Sequence, residues 1–221
     1  MRQFILVHSP LVGPSTWGWV GSVLRANGDD AIIPTISSET RANGWSAVVA
    51  EVANQVRDTS GAVFVAHSGA GPLLPNIVES SGAVAPTIVF VDAGFPSLDQ
   101  KTALVPPDLF EMLTSVARNG VLPPWSEWFG PEAMSQLVPD EAMRARITAE
   151  IPKMPLAYFS DSVPPVNPWP AAKTFYVLLS DGYVDEAAEA RRRGWPVFEA
   201  RGQHLDIVTS AHHIAEILSR C

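Results

Sequence analysis

Six short runs of branched and aromatic residues, apolar at consecutive positions, constrain this chain more than any other feature. They span residues 3–8, 30–34, 62–67, 86–92, 174–180 and 196–200. A strand with one face in water alternates apolar and polar side chains. Runs such as FILV, VFVA and TIVFV do not alternate, so both of their faces must be covered, as in a parallel sheet layered between helices. The intervening stretches supply such helices: Trp45, Val48, Val49, Val52 and Val56 recur at helical spacing, as do Ala211, Ile214, Ala215 and Leu218. Strand and helix alternating in this way predict a doubly wound α/β domain with a mostly parallel, six-stranded sheet. At 221 residues the chain is long enough to bury roughly 70 % of its unfolded surface in one such core.

One region interrupts the rhythm. Residues 98–172 hold no good strand, several short helix candidates (108–118, 131–137 and 140–151) and many prolines. They are expected to form a helical, Pro-rich lid inserted over one end of a core made of residues 1–97 and 173–221.

The sequence GAVFVAHSGAGPLLP, residues 61–75, raises the functional question. An apolar strand stops at Ser68 and passes into helix-like sequence, with Ala66 and Ala70 two residues to either side. A sharp strand-to-helix turn strains its central residue and tolerates only small neighbours. This is the nucleophile elbow pattern G-x-S-x-G with alanine at both outer positions. The plainer role for Ser68 is a helix N-cap. Its place beyond the carboxyl end of a buried strand, where ligands bind in such sheets, favours a nucleophile.

A serine hydroxyl needs a base. His212 and His213 lie within the last helix pattern. His67 neighbours Ser68 but alternates to the opposite face of the strand. His8 ends the first strand and is expected to line the site. His204 follows the last strand in FEARGQHLDI, where Gly202 lets the loop turn back over the sheet, and is the expected base. Two acids end all-apolar strands and could orient it: Asp92 after TIVFV and Asp181 after FYVLLS. Either follows the chain order Ser, Asp, His.

The first strand with LVHSPLVGPSTWGWV, the elbow AHSGAG, the insertion and the late GQH occur in the order of the α/β-hydrolase superfamily, which the chain resembles over nearly its whole length. The opening is most similar to the small plant-type esterases and hydroxynitrile lyases and their actinobacterial relatives. The resemblance implies a three-layer α/β-hydrolase fold and catalysis by Ser68 and His204. Most members take the acid from the position of Asp181. A minority take it from the strand after the elbow, and VFVDAGFP around Asp92 has that pattern's shape. In the lyase-like branch the acid's position falls on Tyr183, which cannot serve.

The resemblance also implies an oxyanion hole made by the Gly69 N–H and a second N–H at Pro10. Proline has none, so Leu11 through a shifted loop or the Ser9 hydroxyl must replace it, or the reaction forms no conventional oxyanion. The lyase-like branch carries a substrate-binding hydroxyl at the position of Ser9.

Trp17 after the first strand, and Trp125 and Trp128 in PPWSEWFG, suggest a pocket for an apolar or aromatic small molecule. No metal-ligand spacing, nucleotide fingerprint or phosphate loop appears, and AHSGAGP lacks the phosphate-binding lysine, so no cofactor or metal is expected. A net charge of −8 argues against nucleic acid and membrane surfaces as partners. The opening MRQFILVHSP is too short for the apolar core of a signal peptide, and a single cysteine, Cys221, excludes a disulfide framework. These features suggest a cytoplasmic monomer or homodimer. The sequence therefore predicts a cofactor-independent serine hydrolase acting on an ester, thioester or lactone. The alternatives are a lyase or cyclase using Ser68 and His204 for acid–base chemistry, and a non-catalytic binder of small ligands.

Overall fold

The computed structural model describes residues 1–130 and 132–221. Its elements alternate as the hydrophobic pattern requires: β1 (Gln3–Val7), α1 (Ser15–Ala26), β2 (Asp30–Ile32), α2 (Ser38–Ala42), α3 (Trp45–Gln55), β3 (Val63–His67), a 3-10 turn (Ser68–Leu73), α4 (Leu74–Ser81) and β4 (Thr87–Val91). The insertion carries α5 (Pro107–Val116), α6 (Ala133–Leu137) and α7 (Glu141–Thr148). The chain then completes the sheet with β5 (Lys173–Leu178), α8 (Val184–Arg192), β6 (Val197–Glu199), α9 (Asp206–Thr209) and α10 (Ala211–Leu218). The six strands lie in the order β6-β5-β4-β3-β1-β2, and every pairing is parallel.

Successive residues of one strand enter opposite cores, which is why the strands are apolar throughout. Ile5, Val7, Phe64, Ala66, Ile88 and Phe90 pack with Val48, Val49 and Val52 of α3 and with Leu74 and Ile77 of α4. Phe4, Leu6, Val63, Val65, Val89 and Val91 pack with Trp17, Val20 and Leu24 of α1 and with Ile214 and Leu218 of α10. Phe4, Ile5, Leu6, Phe64 and Phe90 are fully buried, and each such side chain contributes about 1.5–3 kcal/mol relative to exposure.

Residues 98–172 depart from expectation in two ways. They do contain strands, two antiparallel ladders of two residues each: Thr102–Ala103 with Ser162–Val163, and Val121–Leu122 with Met154–Pro155. Two residues are too few to leave a periodic signal. The segment also joins both cores, Met134, Val138 and Ile147 on the α1 side, and Leu113, Leu122, Tyr158 and Phe159 on the α3 side. Of the helix expected at 131–137, Pro131 lies outside the described residues, and α6 covers the rest from Ala133. Among the described residues no helix is long and apolar enough to cross a membrane.

Candidate active site

Ser68 directly follows the last residue of β3 and adopts a positive φ of 55°, the left-handed region that L-residues enter at a cost. The turn is held by the Ser68 N–H, which donates to the Asp92 carbonyl at 3.2 Å. Its close packing needs more than the two buried alanines at 66 and 70. A Cβ on Gly71 would lie 1.9 Å from the Gly94 carbonyl oxygen, so the loop after β4 can approach the elbow only because residue 71 is glycine.

Asp92, one residue past β4, is fully buried and also has a positive φ, 39°. Its Oδ1 accepts from the Leu179 and Ser180 N–H groups at 2.6 and 3.1 Å. Its Oδ2 accepts from Ser180 Oγ at 2.5 Å and from His204 Nδ1 at 3.2 Å. Burial by itself would raise its pKa, but the hydrogen bonds from His204, Ser180 and Leu179 outweigh it and hold the carboxyl below its ordinary value. An ionised Asp92 places the His204 proton on Nδ1 and leaves Nε2 with a lone pair. Asp181 has no such place. It is exposed at the start of the 3-10 turn Asp181–Tyr183 and borders a separate depression with Val184, Arg191 and Arg201.

The His204 imidazole is sandwiched between two rings. His67 lies 4.4 Å away at 32°, and Tyr183 lies 5.2 Å away at 8°. The His67 Nε2–H donates to the His204 carbonyl at 2.9 Å, tying down the loop that carries His204. Burial, then the charge of His204, drives His67 down to about 3 and keeps it neutral. Tyr183, which the sequence marks only as unable to act as the acid, thus meets the His204 ring directly.

The loop after β1 faces the elbow from the other side. The Leu11 N–H donates to Ser9 Oγ at 3.2 Å, so that N–H is engaged and the Ser9 hydroxyl proton remains to be donated. Ser9 Oγ lies 3.0 Å from where a Cβ on Gly69 would sit, so a larger residue there would press on the Ser9 hydroxyl. Arg41 of α2, buried, donates from Nε to the Pro10 carbonyl at 2.9 Å and from Nη2 to the Val12 carbonyl at 3.0 Å, clamping this loop from behind. Sequence reasoning missed Arg41, because a lone arginine on a short helix resembles a solvated residue.

Ser9, Pro10, Leu11, Ser68, Gly69 and Tyr183 line one cavity of about 690 Å³. Phe95, Leu104, Leu109, Tyr158 and Phe159 add apolar wall, and Asp185, Glu186 and Glu189 lie at the α8 end. Of the residues expected to line the pocket, His8, Trp17, Trp125 and Trp128 stand outside it. His8 is fully buried behind the loop, its Nδ1–H donating to the Ser9 carbonyl at 2.8 Å. Trp17 is fully buried because its place on α1 turns it into the core, where its Nε1–H donates to the Val7 carbonyl at 3.1 Å. Trp125 and Trp128 pack, half-buried, against opposite cores, and Trp128 donates to the Pro123 carbonyl. Among the described residues no three His, Cys, Asp or Glu side chains converge as metal ligands would.

No protein-family model and no curated protein sequence matches the chain. Solved structures do. An extracellular α/β-hydrolase from a Paenibacillus species is similar at a TM-score of 0.77 and 17 % identity, covering 100 % of this chain and 98 % of that one. A pyrethroid hydrolase from Sphingobium faniae gives 0.75 and 15 %, covering 99 % and 96 %. Tomato methylketone synthase I, complexed with 2-tridecanone, gives 0.74 and 11 % over the same shares. Together with the parallel sheet order and the turn at Ser68, these likenesses identify the chain as a protein of the α/β-hydrolase fold.

Proposed function

We propose that this protein is a cofactor-independent serine hydrolase acting on an ester, thioester or lactone of an apolar small molecule. The observation that carries the reading is the hydrogen bond from His204 Nδ1 to buried Asp92, beside a strained Ser68 that opens into the same cavity as Ser9 and Gly69. In this reading Ser68 Oγ attacks the carbonyl carbon and His204 Nε2 takes its proton. Asp92 orients the imidazole and stabilises the imidazolium. The developing oxyanion is met by the Gly69 N–H and the Ser9 O–H. The Ser9 hydroxyl takes the place of the N–H that Pro10 lacks and is aimed by the Leu11 N–H on its oxygen. Water then attacks the acyl-enzyme with the same groups in reversed roles. Residues 98–172 act as the lid whose Leu104, Leu109, Tyr158 and Phe159 set the apolar wall.

A second reading rests on Pro10. A site with one backbone donor and one hydroxyl also suits a lyase or cyclase that moves protons through His204 without an acyl-enzyme. Treating the protein and Ser68→Ala with a fluorophosphonate and a short p-nitrophenyl ester, followed by intact-mass spectrometry, separates the two. Hydrolysis predicts an adduct on Ser68 that the variant lacks. A folded protein that stays unlabelled would favour the lyase or cyclase.

A further inference from the structure

Acyl transfer asks for one group not yet assigned. The leaving oxygen must depart within reach of His204 Nε2, because that nitrogen returns the proton, and it departs carrying negative charge. The oxyanion donors at Gly69 and Ser9 serve a different oxygen. On the side of the base the structure places Tyr183, whose ring lies parallel to the imidazole and lines the cavity beside Ser68. Ser68 is near enough to offset part of the effect of burial on the phenol.

Building on the acyl-transfer reading, we infer that Tyr183 is a catalytic residue whose phenol donates a hydrogen bond to the departing alkoxide oxygen. As the bond from Ser68 Oγ to the acyl carbon forms, the serine proton passes to His204 Nε2 and the carbonyl pair moves onto the oxyanion. When the intermediate collapses, the bond from carbon to the leaving oxygen breaks and its electron pair stays on that oxygen. The oxygen receives the proton from Nε2 while Tyr183 holds it and keeps its own proton. Burial, partly offset by Ser68, pushes the phenol up to about 12, so the group remains a donor throughout the working range. In deacylation the attacking water takes the vacated place under the same hydroxyl.

Such a donor matters little when the leaving group is a stable phenolate and greatly when it is a basic alkoxide. The site is therefore built for esters of alkyl alcohols, a narrower class than the cavity's apolar wall specifies.

The test compares wild type and Tyr183→Phe on acetate esters of 4-nitrophenol, phenol, trifluoroethanol and ethanol. Rates are divided by the sites titrated with a fluorophosphonate on Ser68, so any misfolded fraction drops out. Tyr183→Phe keeps the stacked ring and removes only the hydroxyl. The expected loss is roughly threefold for the nitrophenyl ester and about 10- to 100-fold for the ethyl ester, the worth of a hydrogen bond to a charged group. The dependence of rate on leaving-group pKa steepens accordingly. An equal loss across the series, or none, would overturn the inference and leave Tyr183 as packing for His204. Wild type that neither labels at Ser68 nor hydrolyses any ester would instead overturn the acyl-transfer reading, and this inference with it.

Discussion

Two buried neutral histidines beside the loops of the candidate site should make this protein sensitive to mild acid. Burial drives His8 down to about 4 and His67 to about 3, against an ordinary value of 6.5. His8 Nε2 and His67 Nδ1 are buried without hydrogen-bond partners, so neither ring has an acceptor waiting for a second proton. The folded-state pKa lies below the unfolded value in both cases. Their contribution is therefore complete above about pH 7 and is lost as pH falls through 6.5, where only the unfolded chain takes up protons. Between pH 7 and pH 5 the loss is about 2 kcal/mol for each ring, or about 4 kcal/mol together. That is a large share of the roughly 5–15 kcal/mol that holds a domain folded. Urea unfolding at both pH values, at constant ionic strength, measures it directly. His8→Gln and His67→Gln should each start less stable at pH 7 but lose about 2 kcal/mol less than wild type on acidification. A wild-type loss below about 1 kcal/mol, or variants that fall in parallel with wild type, would refute the argument that these rings are held neutral by burial.

The remaining predictions concern the site. Asp92→Asn should lower kcat by roughly 10⁴-fold, because an amide disturbs the tautomer of His204. Asp181→Asn, at an exposed position, should change it by no more than about twofold; steady-state kinetics on one ester decides between the two acids. Ser9→Ala should cost about 10²–10³-fold in kcat with little change in KM, the signature of a donor used in the transition state. A loss confined to KM would make Ser9 a ground-state binding group instead.

The central sheet was legible because periodicity is local. Residues 3–7, 63–67 and 87–91 each carry an unbroken apolar run, and only strands buried on both faces tolerate one. Ser68 was legible for the same reason: a strand end, flanking small residues and a following helix all lie within a few positions. The insertion was read less well. Its two-residue ladders are stabilised by partners 32 to 61 residues away, which no window along the chain can register.

By itself, then, the sequence determined the layered α/β architecture, the candidate nucleophile, the candidate base and the missing N–H at Pro10. Tertiary structure decided everything that depends on two distant segments meeting. Asp92 and Asp181 look alike in sequence, each an acid ending an apolar strand. Only the crossing of β4 beside β5 brings Leu179 and Ser180 onto the carboxylate of Asp92 and aims it at His204, while Asp181 turns outward. Trp17 and Tyr183 exchange their expected standing for the same reason. The face that a side chain presents on its element sends the tryptophan into the core and the tyrosine onto the imidazole. Arg41 becomes a clamp only because α2 packs behind the loop after β1, so that its guanidinium meets two carbonyls 29 and 31 residues away. Residue type limits what a group can do chemically, but a site is a set of distances, and those arise from long-range packing.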